Sequence, residues 1–354
     1  MTKPTPPIGA ITPALTTPAD LIAAGLAQPE QAAMLQRTAQ LFRIRVTSQM
    51  QSALTNAPDD PVAAQFLPTS QELTGDGLSD PIGDNAHAPV PGLTHRYPDR
   101  VILHVTKTCD VYCRFCFRRE TVGETGPLAP QQLDAALDYI AATSTIREVI
   151  LTGGDPLTLS LRRLHMVLTR LDALNHVQMV RFHTRVPVVA PDRITPELVE
   201  LLASLRMTAW MVIHTNHAQE LTPPARKALR LMADAGIPLL SQSVLLRKIN
   251  DSHDALQDLF TTLSALRVKP YYLHHCDLAR GAGHFRTTIA AGRALMQGLR
   301  GPLPGHCLPT YVLDIPGGFG KVPVTADHFT EISPGRWRVT DWQGAAHDYL
   351  DPED

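Results

Sequence analysis

Three of the chain's five cysteines, Cys109, Cys113 and Cys116, crowd into the single run "CDVYCRFC". So few cysteines cannot make a disulfide framework, and a cluster of thiols is then most simply a ligand set. Structural zinc closes four ligands, usually as paired C-x2-C units, and no fourth lies nearby. Three thiolates can instead hold three irons of a 4Fe–4S cluster and leave the fourth iron open to a substrate or cofactor. An open iron is what a catalytic cluster needs, so the spacing favours iron–sulfur over zinc. Cys276 and Cys307 stand apart, one beside Asp277 and the other in a Pro/Gly-rich stretch, and are not expected to be ligands.

A second stretch, "DIPGGFGKVP" over 314–323, ends a glycine-rich loop in Lys321. The order lacks the G-x4-G-K-[ST] pattern of a phosphate loop, and Pro323 follows where a helix should open. The alternative is a lysine that forms a Schiff base, with glycines admitting a planar cofactor. Pyridoxal phosphate uses such a lysine, and its phosphate needs cations. Arg96 and Arg100, in "THRYPDR" just before the first expected strand, would suit that role.

These residues need a scaffold, and the rhythm after Val101 supplies one. Short apolar runs ("VILHVT", "EVILTGG", "MVRFHT", "AWMVIHT", "IPLLSQSVL", "PYYLHH", "TYVLDI") alternate with helical segments over 130–142, 158–174, 196–205, 222–235, 254–266 and 286–299. Buried parallel strands joined by right-handed helical crossovers read this way, here six or seven βα units of a partial TIM-type (β/α)6 barrel. Chemistry in such sheets sits at the C-terminal strand ends. That is where the cysteines, "GGD", "HTR", "HTNH", Gln242 and "HHCD" fall. Residues 1–93 are expected to be a helical and wrapping segment, with 1–19 a mobile arm and 55–93 irregular. Residues 94–300 form the barrel, and 301–354 a short segment carrying Lys321.

With 44% hydrophobic residues the chain can bury a large core, and a net charge of −2 gives no field to recruit nucleic acid or an anionic membrane. The absence of a long apolar run or an N-terminal apolar h-region argues for a cytoplasmic protein.

C-x3-C-x2-C with an aromatic before the third cysteine, after the first strand of a βα series, resembles the radical S-adenosylmethionine superfamily. The resemblance implies that the open iron binds S-adenosylmethionine and that an electron from the cluster releases a 5′-deoxyadenosyl radical. "GGDP" at 153–156 is similar to the motif that meets the methionyl ammonium, which implies Gly153, Gly154 and Asp155. "DPIGDNAHAPVPGLTHRYPDR", "IPLLSQSVLLRKIND", "PYYLHHCDLARGAGHFRT" and "DIPGGFGK" narrow the resemblance to the lysine 2,3-aminomutases, from about Asp80 to Pro323. The family implies Lys321 as the pyridoxal phosphate lysine, Arg96 with Arg100 on its phosphate, and Gln242 near the adenosyl group. It also implies Arg118 on the substrate carboxylate, with Asp277 and Asp314 around the substrate's ε-ammonium.

Two carboxylates suit a buried ammonium and repel an anionic side chain, so L-lysine is expected over glutamate, with arginine or ornithine as alternatives. The implied product is β-lysine, formed by a radical 1,2-amino shift and driven by an electron donor such as flavodoxin or ferredoxin. A racemase or mutase of another cationic amino acid is the second reading. A cluster-bearing electron-transfer protein, which would need no pyridoxal lysine, is the third. Long members of the family carry a cysteine-bearing C-terminal zinc extension. This chain stops soon after Lys321 and has Ser252 where the intersubunit cysteine is expected, so a homo-oligomer would lack that zinc. "CRFCFRR" resembles the branch that supplies β-lysine for modifying elongation factor P. His214, His217, His274 and His275 are expected near the mouth with backbone hydrogen bonds, and Trp337 and Trp342 in a C-terminal hairpin or lid.

Overall fold

The computed structural model describes residues 13–55, 57–75, 77–123, 126–325, 329–333, 336–341 and 344–350. Four short helices open the chain: α1 (Pro18–Ala23), α2 (Ala32–Leu41), α3 (Ser48–Ala53) and α4 (Pro61–Phe66). A hairpin of β1 (Leu93–Tyr97) and β2 (Arg100–Thr106) then leads into a regular alternation. It runs through α5 (Pro130–Ala142), β3 (Glu148–Gly153), α6 (Leu161–Asp172), β4 (Met179–Thr184), α7 (Val186–Val189), α8 (Pro196–Ala203) and β5 (Thr208–His214). It continues through α9 (Pro223–Asp234), β6 (Leu239–Leu245), α10 (His253–Ala265), β7 (Lys269–His275), α11 (Ile289–Leu299) and β8 (Thr310–Asp314). After β9 (Lys321–Pro323), a separate antiparallel sheet follows, made of β10 (Phe329–Ser333), β11 (Arg336–Thr340) and β12 (Ala346–Leu350).

The helices face the sheet because of one recurring spacing. Leu133, Ala136, Leu137 and Ile140 are the buried residues of α5, and Leu164, Val167, Leu168 and Leu171 those of α6. Ala225, Ala228, Leu229 and Met232 in α9, and Leu256, Leu259, Phe260 and Leu263 in α10, repeat the same i, i+3, i+4, i+7 stripe. The hydroxyls of Ser160 and Ser252 accept from backbone N–H groups and start α6 and α10. Ser252 is thus a helix cap.

Strands β2 to β8 are parallel and neighbours in chain order, giving the partial (β/α) barrel, with antiparallel β1 and β9 at the sheet's two edges. The hairpin corrects one expectation: Arg96 and Arg100 lie on β1 and β2, not ahead of the first strand. A second correction concerns Lys321, which is on an edge strand paired to β8 and so belongs to the main sheet. The mobile arm is corrected from residue 13 onward, where Leu15 bridges Val46 in both directions and Thr17 caps α1; residues 1–12 lie outside the described residues. The 55–93 stretch is not wholly irregular, since it contains α4 and two 3-10 turns at 70–73 and 85–87. Trp337 does sit in an antiparallel sheet, on β11, and Trp342 lies outside the described residues. Among the described residues no helix is long and apolar enough to cross a membrane.

One buried ionic cluster ties the opening segment to the barrel. The Glu72 carboxylate accepts from Arg114 Nε at 3.0 Å and from Nη2 at 2.5 Å, and also from Arg119 Nη2. Arg114, which is 1% exposed, also donates to the carbonyl of Arg43 at 2.8 Å, and the Arg119 guanidinium stacks on Phe42 at 3.5 Å. Both arginines come from the loop of the three cysteines. Removing the shared carboxylate leaves two cations buried without an anion, so Glu72→Ala is expected to cost roughly 3–5 kcal/mol of folding stability in chemical denaturation. A loss of under about 1 kcal/mol, the worth of an exposed pair, would mean that these ions are not desolvated.

Candidate active site

Inside the barrel lies a cavity of about 720 Å³, and every residue singled out above for cofactor, substrate or metal lines it. These are Arg96, Arg100, Cys109, Cys113, Cys116, Arg118, Gly153, Gly154, Asp155, Gln242, Asp277, Asp314 and Lys321. The cavity also runs deeper than the strand ends. Glu148, Ile150 and Thr152 of β3 and Met179, Arg181 and His183 of β4 line it at every second position, as the two-residue period of a strand dictates.

The loop after β2 carries the thiols, and the two glycines after β3 hold that loop in place. Gly154 N–H donates to the Thr106 carbonyl at 2.6 Å and Asp155 N–H to the Thr108 carbonyl at 2.8 Å. A Cβ on Gly154 would overlap the backbone of Lys107 and Thr108, and Gly153 has φ +109°. The pair is therefore required for backbone contact with the residues that lead into Cys109. Asp155 completes the joint. Its Oδ1 accepts from Leu157 N (3.1 Å) and Thr184 Oγ1 (2.7 Å), and its Oδ2 from Arg185 N (2.6 Å) and Val186 N (3.2 Å). A carboxylate offers about four acceptor sites, so this one has none left for a ligand's ammonium. Burial nonetheless pushes its pKa up to about 6.

Arg185 reaches the cysteines from the start of α7. Its Nη1 donates to Cys113 Sγ at 2.7 Å, while Nη2 donates to Glu220 at 2.5 Å and Gln65 at 2.6 Å. Burial, with Asp155 and the other thiols adding to it, lifts Cys109 well above the ordinary thiol range, and Cys116 is pushed up to about 11 by burial and Cys113. Thiols so placed give up their protons to a bound cation, which is the linkage a metal site shows. Among the described residues no three His, Cys, Asp or Glu side chains converge on a single metal ion. The three thiols instead share the wall of one cavity, beside a cationic donor, which fits a multi-iron cluster.

At the opposite wall, Lys321 Nζ donates to Asp314 Oδ1 at 2.6 Å, and His274 Nδ1 lies 3.1 Å from Asp314 Oδ2. Burial opposes the ionisation of Asp314, but His274 and Lys321 outweigh it and bring the pKa down to about 2. Asp277 has no hydrogen-bonded cation among the described residues, and burial with Asp314 beside it outweighs the nearby Lys321, Arg118 and Arg286 and pushes its pKa up to about 7. Arg96 donates to the Ile82 carbonyl at 2.5 Å, and its buried Nε has no hydrogen-bond partner among the described residues. Arg100 pairs with Asp99 at 2.8 Å and covers the Tyr97 ring at 3.9 Å. An amine, a guanidinium with an unused donor and a second arginine in one cavity fit pyridoxal phosphate.

The loop glycines make close backbone contacts within the protein. Gly317, Gly318 and Gly320 have φ of 88°, 90° and 93°, and His87 Nε2 meets the Gly318 carbonyl at 3.1 Å. Gly317 N–H donates to Pro81 O at 3.3 Å, so the loop admits the backbone of the 80–88 segment. Asp84 in that segment was not anticipated. It takes Arg118 Nε at 2.8 Å and lies 3.8 Å from Arg96. Arg185 belongs to the "HTR" run placed at the strand ends, but its partners Glu220 and Gln65 were missed, each being unremarkable in sequence and distant from the other along the chain. The histidines are corrected too. His274 and His275 bond to side chains, Asp314 and Tyr311, and the buried Nε2 of His214 has no partner among the described residues. Of these four, His217 alone bonds to backbone among the described residues, its Nδ1 accepting from Gln219 N.

Substituting Gly154 by Ala is expected to displace the cysteine loop while the barrel persists. Iron content after anaerobic reconstitution should fall severalfold with helix circular dichroism unchanged. Full iron loading would show that the backbone contact is dispensable.

The match to known sequences agrees with this geometry. Residues 103–260 match the model of the radical SAM superfamily. An L-lysine 2,3-aminomutase of Fusobacterium nucleatum is 42% identical over 90% of this chain and 75% of its own length. One from Clostridium subterminale is 43% identical over 84% and 72%, and a glutamate 2,3-aminomutase of Clostridioides difficile is 35% identical over 80% and 68%. The chain belongs to the lysine 2,3-aminomutase family, and is a radical S-adenosylmethionine aminomutase whose cofactors are a 4Fe–4S cluster, S-adenosylmethionine and pyridoxal 5′-phosphate.

Proposed function

We propose that this aminomutase converts L-lysine to β-lysine. The observation that carries the substrate is the pair of carboxylates, Asp277 and Asp314, in the same cavity as Lys321 and Arg118. A side chain ending in a cation is compensated there, and one ending in a carboxylate is not. Arginine or ornithine is the second reading, favoured by the same pair.

Cys109, Cys113 and Cys116 would hold the cluster, Lys321 with Arg96 and Arg100 the pyridoxal phosphate, and Gly153, Gly154 and Gln242 would flank S-adenosylmethionine. Together these groups supply a carbon-centred radical that abstracts hydrogen and a carrier for the migrating nitrogen. The protein's part is to position and to exclude. Asp84 holds the Arg118 Nε edge and leaves its Nη groups without a hydrogen bond among the described residues, available for a carboxylate. Asp155, being saturated, acts as a joint between β3 and β4, and the SAM ammonium falls to other groups. Val111, Phe115 and Val122 line the cavity near the thiols and limit water there. A low-potential electron carrier of the flavodoxin or ferredoxin class completes the system. On the resemblance of "CRFCFRR", elongation factor P modification is the proposed destination.

The deciding assay is anaerobic, with iron, sulfide, pyridoxal phosphate, S-adenosylmethionine, dithionite and L-lysine. β-Lysine should form. Accumulation of 5′-deoxyadenosine without β-lysine would reject lysine and turn attention to arginine and ornithine.

Asp277 also sets a pH dependence. Below about 7 it is protonated and contributes no charge to a substrate ammonium. KM for L-lysine is therefore expected to fall as pH rises through about 7. Asp277→Asn should flatten that profile and lower kcat/KM on the order of 100-fold. A pH-independent KM in the parent enzyme would remove Asp277 from the ammonium site.

A further inference from the structure

Asp314 already holds a primary ammonium, and it is the chain's own. Lys321 Nζ sits 2.6 Å from Asp314 Oδ1, and the two residues face each other directly in the antiparallel pairing of β8 with β9. The contact is thus built into the sheet rather than reached by a wandering side chain. The Asp314 side chain is 6% exposed and that of Lys321 34%, so the carboxylate is buried while the ammonium keeps partial access to the cavity. The other oxygen of Asp314 is taken by His274 Nδ1, from β7. Neighbouring Asp277 has no hydrogen-bonded cation among the described residues, although it lines the same cavity. The group on Asp314 is an ε-ammonium on a four-carbon stem, chemically the same end that an L-lysine substrate would present.

We propose that Lys321 is an internal occupant of the substrate's ammonium site, so that the cationic amino acid can bind Asp314 only after the cofactor has engaged Lys321. His274 is a positioning residue here, fixing the Asp314 carboxylate so that Oδ1 faces the cavity. The inference rests on the proposed role of Asp314 as the substrate's ammonium ligand. Two cations compete for one buried oxygen, and a carboxylate in low dielectric does not share it without cost. Cofactor attachment draws the Lys321 nitrogen away from Asp314, which makes loading of the cofactor a precondition for substrate selectivity. The arrangement would also keep a cofactor-free chain from sequestering free lysine.

Equilibrium binding tests this without turnover. Isothermal titration of the cluster-loaded chain free of pyridoxal phosphate would compare L-lysine with L-norleucine, which has nearly the same shape but no ε-ammonium. The parent chain should discriminate little between them. Lys321→Met should bind L-lysine at least tenfold tighter than the parent does, with L-norleucine affinity unchanged. Lys321→Gln serves as the second variant should the first fail to fold. Equal L-lysine affinity in parent and variants overturns the proposal. Adding Asp314→Asn to Lys321→Met should abolish the gain. If the gain persists, Asp314 is not the ammonium ligand and the proposed substrate contact fails with it. In the pyridoxal-phosphate-loaded parent, failure to discriminate lysine from norleucine sinks the substrate reading itself. Discrimination there without any in Lys321→Met sinks only the internal occupant. For His274, Ala on the Lys321→Met background should lose severalfold in L-lysine affinity and Asn should restore part of it. No change with Ala would end the positioning role.

Discussion

The cysteine loop has no regular structure of its own, so its shape depends on the buried carboxylate of Glu72. Arg114, between the second and third cysteines, and Arg119, just past the third, both converge on it. Two guanidiniums on one anion would be an expensive arrangement in isolation, and it persists because no water competes and Phe42 and the Arg43 carbonyl take up the remaining faces. This explains why the first ninety residues wrap the barrel. They supply the counter-charges, Glu72 and Asp84, for arginines that the barrel cannot pair from its own strands. On the other flank, Arg185 draws Glu220 and Gln65 into a second network, and its Nη1 donates to Cys113. The thiols are therefore held between two buried ionic clusters, a stiff frame for side chains that have to present themselves together.

Glycine performs the matching task for the backbone. At Gly153–Gly154 it brings the end of β3 against the residues leading into Cys109, and at Gly317–Gly320 it brings the Lys321 loop against 80–88. In both places a sequence pattern that suggests ligand contact is satisfied, in the protein alone, by one backbone approaching another. The two readings are compatible at the first site, where the joint sets the position of the cysteines. At the second, the glycines set the register in which Lys321 meets Asp314, and the amine rather than the loop is the part exposed to the cavity.

How far the sequence could be read depended on whether the signal was periodic or pairwise. The helices of the barrel announce themselves through apolar residues at i, i+3, i+4 and i+7, and the strands through short apolar runs, so the alternation from β2 to β8 is legible to within a few residues, the short α7 excepted. The site was legible because its reactive residues are of unusual type at unusual spacing. What was not legible is partnership across the chain. Nothing local marks Glu72 as the anchor of a loop more than forty residues away, or Asp84 as the partner of Arg118. The edge strands β1 and β9 escaped for a related reason, because each is short and polar and exists only by pairing with a longer neighbour. Histidine misled most. Its hydrogen-bond partner is a matter of tertiary geometry, and the difference between His217 on a backbone amide and His274 on a carboxylate has no counterpart in sequence.

That last difference bears on how the cavity tells its ligands apart. Asp277 and Asp314 line one cavity yet have opposite fates, Asp314 held ionised by His274 and Lys321 with a pKa of about 2, and Asp277 pushed up to about 7 by burial and by Asp314 itself. One charge is thus always present and the second is conditional. A cation arriving between them lowers the cost of ionising Asp277 and gains a second partner in doing so, so attraction strengthens as the ligand binds. An anion meets the fixed charge of Asp314 and cannot neutralise it near neutral pH, since that carboxyl would have to be titrated far above its own pKa. Selection for a cationic end therefore needs no tight steric fit. Under the proposed substrate contact, it follows from placing one carboxylate with hydrogen-bonded partners and one with none among the described residues, and the partners come from neighbouring strands whose register brings Asp314 opposite Lys321.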